Sequence, residues 1–111
     1  MGTCMRHVLA AAAVGLAAAM LTQPVSAESQ AHRIEIKGVA FAPTQVTVRT
    51  GDSVEWANAD IVAHTATSKE GGFDVSVLPG RNGSAAMTRP GTFSYICRYH
   101  PNMEGQLIVE P

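Results

Sequence analysis

Cysteine is almost missing from this chain. Two occur in 111 residues, Cys4 and Cys97, and they stand on opposite sides of what reads as a processing site. "MGTCMRHV" carries Arg6 and His7, an uncharged run follows from Val8 to Leu21, and "TQPVSA" ends on Val25-Ser26-Ala27. That order of charge, apolar run and small-x-small pattern is a secretory signal peptide (residues 1–27), with the cut expected after Ala27. At 14 residues the run is shorter than the ~20 that span a bilayer, which argues against a retained anchor. Cys4 precedes the run, whereas a lipid-attachment cysteine belongs at its end, so it is expected to leave with the signal. The mature chain, residues 28–111, then holds one thiol and cannot form an internal disulfide. A lone thiol in an oxidising compartment is a liability unless something occupies it.

Other shortages narrow the field. Without Arg6 the chain keeps seven Lys/Arg against nine Asp/Glu, a formal charge near −2. No basic stripe suggests nucleic acid, and no block of like charge suggests a disordered tail. Nothing after the signal has a sustained helical period, an internal repeat or low complexity. With 84 residues and few aromatics the single expected domain buries a modest core, and such domains often depend on a disulfide or a metal.

What is present is period-two alternation. "RIEIK" puts Ile34 and Ile36 on one face, and "QVTVR" does the same with Val46 and Val48. After the Thr50-Gly51-Asp52 turn, "SVEW" buries Val54 and Trp56. "SAAMT" (84–88) is a weaker strand, "TFSYIC" (92–97) follows the Pro90-Gly91 turn, and "QLIVE" (106–110) closes the chain. Residues 69–83 read as a loop or irregular edge. About seven to eight short strands argue for an all-β, two-sheet Greek-key sandwich. An immunoglobulin-type domain would want a second cysteine to bridge its sheets.

The surviving thiol lies in "CRYHPNM", three residues before His100 and six before Met103. Alternation puts Phe93, Tyr95 and Cys97 on one face, so Cys97 ends a strand under the rim of the core. The chain then turns through Arg98–Met103 and re-enters as the last strand, which gathers a thiolate, an imidazole and a thioether near one point. A fourth donor is sought among the histidines. His32 precedes the first strand in a polar context and reads as solvated, whereas His64 follows the apolar "IVA" at a strand mouth. Taken singly, a cysteine is usually a small buried hydrophobe, a methionine a core filler and a histidine a satisfied rim residue. Jointly, two imidazoles, one thiolate and a weak axial thioether make a blue-copper electron-transfer centre. Zinc suits the set less, since structural zinc prefers four strong N/S donors.

On these residues the chain resembles the cupredoxins, and within them the amicyanins and plastocyanin-like proteins. The likeness covers nearly all of residues 28–111. It rests on the "PTQVTVRTGDSVEW" hairpin, the tryptophan-to-histidine spacing, "PGTFSYIC", and the short C-x2-H-x2-M loop followed by Gly105. The resemblance implies one type 1 copper ion on His64, Cys97, His100 and Met103, with His100 as the electron port at an apolar surface. Two departures stand out. Thr65 replaces the asparagine that usually ties the two ligand loops, which puts that tie in doubt, although the Thr65 amide can still donate to the Cys97 sulfur. Tyr99 replaces a common proline and so keeps an N–H for the same sulfur, which would raise the reduction potential. Pro101, with residues from Ile61–Ala63 (Val62 and Ala63 among them), is expected to form an apolar collar. Arg98 reads as a solvated arginine or a docking charge.

The resulting expectation is a periplasmic, monomeric carrier of single electrons and not an enzyme. Its partners would be transient redox proteins, such as c-type cytochromes or a periplasmic dehydrogenase or reductase. Two rivals remain: a copper-handling protein (buffer, carrier or tolerance factor) and an accessory β-sandwich without metal. A copper-handling protein would favour Met- or His-rich segments, which residues 28–111 lack, having two methionines and three histidines.

Overall fold

The computed structural model describes residues 28–111, together with positions 2, 12–15 and 17. The expected cut at Ala27, and Cys4, lie outside the described residues. Among the described residues, no helix is long and apolar enough to cross a membrane.

Nine strands follow in chain order: β1 (Ala31–Ile36), β2 (Phe41–Ala42), β3 (Gln45–Arg49), β4 (Ser53–Asn58), β5 (His64–Ser68), β6 (Asp74–Val77), β7 (Asn82–Ala86), β8 (Gly91–Ile96) and β9 (Glu104–Glu110). They form two sheets, ordered β2-β1-β4-β7 and β3-β9-β8-β5-β6. The alternating side chains face one another across the gap between them. Ile34, Ile36, Val54 and Trp56 come from the first sheet, and Val48, Tyr95, Leu107 and Val109 from the second, and all are buried. This is the expected all-β sandwich; β2 and β5 are strands that no alternating run marked, and two further differences stand out.

The first concerns the expected hairpin. β3 does not pair with β4: it runs parallel to β9, from Gln45 opposite Gln106 to Arg49 opposite Glu110. β4 lies in the other sheet, between β1 and β7. The 50–52 turn therefore carries the chain across the sandwich. Gly51, at φ +96°, takes a backbone conformation that side chains resist, and its N–H donates at 2.7 Å to the carbonyl of Met87, the residue just after β7. The second difference lies in residues 69–83, expected as a loop or irregular edge; β6 does lie at the edge of its sheet, but as a regular strand. They contain β6 and the start of β7, which begins two residues before the expected strand. β6 pairs along β5 from His64 opposite Val77 to Thr67 opposite Asp74, so β5 is supported on the side away from β8.

An aromatic cluster sets the height of the site. Trp56 stacks on Phe73, with ring centroids 5.6 Å apart, and meets Tyr95 edge-on at 5.6 Å. Phe41 closes on the other side of Tyr95 at 4.7 Å. Each such ring contributes roughly 1.5–3 kcal/mol by burial. Tyr95 lies over Gly105 on β9, where an added Cβ would overlap its ring and hydroxyl. Two residues on, and on the same face, Cys97 is fully buried.

Candidate metal centre

The C-x2-H-x2-M spacing folds into two consecutive turns. The His100 N–H donates to the Cys97 carbonyl at 3.2 Å, and the Met103 N–H donates to the His100 carbonyl at 2.8 Å. Each is an i to i+3 bond, so Cys97, His100 and Met103 fall at successive turn corners. The Cys97 N–H then donates to the Met103 carbonyl at 3.0 Å and closes the loop on itself. Met103 is buried within the core cluster at the foot of β9. His100 is half-buried at the surface.

His64 opens β5 and is fully buried. Its Nδ1 lies 3.7 Å from the Cys97 Sγ, and the His100 Nδ1 lies 3.7 Å from the same sulfur. The three ligand-type atoms all fall within 4.8 Å of one another, and the two imidazole rings tilt by 52° with centroids 5.1 Å apart. The structure thus brings together His64, Cys97 and His100, with Met103 tied to the same loop by its backbone.

Asp60 orients His64. Its Oδ2 lies 2.8 Å from the His64 Nε2, so an Nε2–H donating there leaves the Nδ1 lone pair facing the sulfur. The carboxylate also accepts from the Val39 N–H at 2.9 Å and the Gly38 N–H at 2.7 Å. The Val39 N–H above all, and then those of Gly38 and His64, hold it below the usual carboxylate range against the opposing effect of burial. Val39 takes φ +56° to make this contact, a strained conformation for a β-branched residue. Asn58 braces the same loop, donating to the carbonyls of Val62 (2.8 Å) and Val77 (3.0 Å) and accepting from the Asp60 N–H (2.9 Å). Sequence reasoning missed both Asn58 and Asp60. The available signal was Asn-x-Asp, a pair that bonds its own backbone in turns, placed four residues before His64.

Burial pushes the Cys97 thiol up, whereas the Thr65 N–H first, then His100 and the Tyr99 N–H, pull it down below the usual thiol value. The Thr65 N–H donates to Sγ at 3.4 Å. These donors favour the thiolate, the form that binds metals. The loop tie left in doubt by Thr65 is present, because its hydroxyl accepts from the Arg98 N–H at 2.9 Å. Arg98 itself is paired, with its Nη2 3.4 Å from the Asp74 Oδ2. Tyr99, Pro101 and Val62 are exposed and Ala63 is half-buried. Ile61, part of the expected collar, is 94% exposed, and Val39 and Leu78, outside it, are also open. His32 is not free in solvent: its Nε2 lies 2.9 Å from the Asp52 Oδ2.

A thiolate between two imidazole nitrogens, with a buried thioether in the same loop, is a soft mixed donor set that fits copper better than zinc. Comparison with known proteins agrees. A family model described as a cupredoxin-like domain matches residues 9–109. The chain is 30% identical over 105 residues to amicyanin-alpha of Methylorubrum extorquens, covering 89% of this chain and 88% of that protein. It is 28% identical to the amicyanin of Paracoccus versutus, covering 69% of this chain and 63% of that protein. A plastocyanin from a Synechococcus strain is 26% identical, covering 86% of this chain and 83% of its own. Among solved structures, an oxidised amicyanin variant superposes with a TM-score of 0.64 at 26% identity, covering 72% of this chain and 82% of that one. A copper-containing nitrite reductase from Thermus scotoductus gives 0.67 at 24% identity, over 77% of this chain but 23% of that larger one. The cofactor is a single type 1 copper ion, and the chain belongs to the cupredoxin family.

Proposed function

We propose that this protein is exported as residues 28–111 and carries single electrons between periplasmic redox partners, with His64, Cys97, His100 and Met103 holding its copper. The observation that carries this reading is the Cys97 sulfur 3.7 Å from both imidazole nitrogens, beneath a histidine that reaches the surface. Copper held there supplies a centre that alternates between Cu(I) and Cu(II). Imidazole suits the oxidised ion and sulfur the reduced one, so a set fixed between the two preferences need move little. The chain supplies that rigidity: Asp60 holds the His64 ring, Thr65 holds Cys97, and the double turn holds His100 and Met103.

His100 is the electron port. The exposed apolar residues Ile61, Val62 and Tyr99, with Pro101, give a small docking face around the loops that carry the donors. Transient redox encounters use such modest interfaces and must separate quickly. The partners proposed are c-type cytochromes or a periplasmic dehydrogenase or reductase, met by a monomer that transfers electrons and performs no catalysis. Likeness to amicyanin and plastocyanin supports this reading. Adding Cu(II) to the purified protein tests it. An intense blue colour from thiolate-to-copper charge transfer is expected, followed by oxidation of a reduced c-type cytochrome in stopped flow. A colourless complex would point to copper handling, and no uptake to an accessory sandwich.

A further inference from the structure

Thr65, Thr67, Asp74 and Arg98 form a closed ring beside the site, and the single proton of each hydroxyl fixes the direction of its hydrogen bonds. A carboxylate only accepts, and the Thr67 hydroxyl donates to the Asp74 Oδ1 at 2.8 Å. A hydroxyl has one proton. With the Thr67 proton committed, Thr67 must accept in its 2.9 Å contact with the Thr65 hydroxyl, and Thr65 must donate. The Thr65 oxygen is then free to receive the Arg98 N–H at 2.9 Å. The Arg98 guanidinium closes the ring on the other Asp74 oxygen, 3.4 Å away.

This ring grips Cys97 from both sides. The Thr65 N–H meets its sulfur, and the Thr65 hydroxyl meets the amide that follows it in the chain. The carbonyl of the same 97–98 peptide receives the His100 N–H at 3.2 Å, so fixing this peptide also fixes the turn that carries His100. Thr65 is fully buried, so its hydroxyl has no bulk water to turn to and depends on Thr67 for an acceptor. Asp74, by contrast, is half exposed on the outermost strand of its sheet. We propose that Asp74 is a positioning residue for Cys97, acting through Thr67 and Thr65 to aim the hydroxyl that receives the Arg98 amide. The proposal deepens the copper-site reading and rests on it for its consequence, which is the setting of the thiolate.

Amide exchange on the full chain without metal, paired with visible absorption and voltammetry after Cu(II) addition, tests it. Thr67→Val and Asp74→Ala should each speed exchange at the residue-98 amide by roughly 3- to 10-fold, the weight of one buried hydrogen bond. Each should also shift the charge-transfer band and the potential. Thr67→Ser should restore all three. Asp74→Ala should add nothing in the Thr67→Val background, and Arg98→Ala, which keeps its backbone N–H, should leave the residue-98 amide protected. Unchanged exchange in Thr67→Val overturns the proposal. So does Arg98→Ala reproducing Asp74→Ala, since the carboxylate would then act through the ion pair alone. If the protein takes up no copper, the exchange measurement still decides the relay, and the copper reading fails separately.

Discussion

The sandwich has the same device at both ends. His32 meets Asp52 and His64 meets Asp60, in each case Nε2 to Oδ2, at 2.9 and 2.8 Å. In each case the carboxylate also accepts two backbone N–H groups, from Gln30 and Arg49 for Asp52 and from Gly38 and Val39 for Asp60. The ends differ in what the second ring nitrogen sees. His64 is sealed in the interior with its Nδ1 facing a thiolate, whereas the His32 side chain is 24% exposed at the opposite end of the β1–β4 pair, where His32 lies opposite Val54 and Ile36 opposite Asn58. An oriented imidazole is therefore a structural part used twice, and chemistry follows from its third partner.

Removing that third partner is the strongest way to break the comparison. Cys97→Ala should abolish the blue absorption and reduce the His64–Asp60 pair to the status of its counterpart; a surviving intense band would assign the colour elsewhere. Next in size, Gly105→Ala forces a Cβ into Tyr95 and should cost about 3 kcal/mol in urea denaturation. Both ends share that core, so fluorescence of Trp56 and exchange at either histidine loop should report one transition. Asp60→Ala should weaken copper binding by roughly 10- to 100-fold in a chelator competition, while Asp52→Ala should leave it unchanged. Equal effects would show that the two pairs are not distinguished by their surroundings. Smaller again, Tyr99→Pro removes the N–H that acts least on the sulfur and should lower the potential by less than about 40 mV, the equivalent of one ~1 kcal/mol hydrogen bond in a one-electron couple.

The smallest effect belongs to the far end and to acid. The Gln30 N–H first, then the Arg49 N–H and His32, lower the Asp52 carboxyl from 3.8 to about 2. A depressed carboxyl stabilises the fold above its unfolded value and loses that contribution as pH falls through the folded one. Stability should therefore decline between pH 3.8 and about 2, and the decline should be shallower in Asp52→Asn. Urea titrations across that range, with copper absent, read it directly.

Much of the candidate metal centre was legible because its residue types are chemically rare. One thiol in residues 28–111, with His100 and Met103 at three-residue steps, leaves few other uses for that spacing. The strands with β-branched alternation were equally plain. β5 was harder, because "HTATS" buries His64, Thr65 and Ser68 and so hides its inward face from a hydrophobicity pattern. β6 is four residues between glycine-containing turns, too short for a period to register. The 50–52 connection misled for a different reason: two alternating runs joined by a turn look alike whether they pair or cross between sheets. Asp60 and the Thr67–Asp74 relay escaped because polar residues announce a role only once their partners are known.

X-ray absorption at the copper edge of the metal-loaded protein, in both redox states, tests the central claim most directly. One short thiolate sulfur and two imidazole nitrogens should appear in Cu(II) and persist with little change in Cu(I). A Cu(II) spectrum with nitrogen and oxygen neighbours and no short sulfur would contradict the proposed centre.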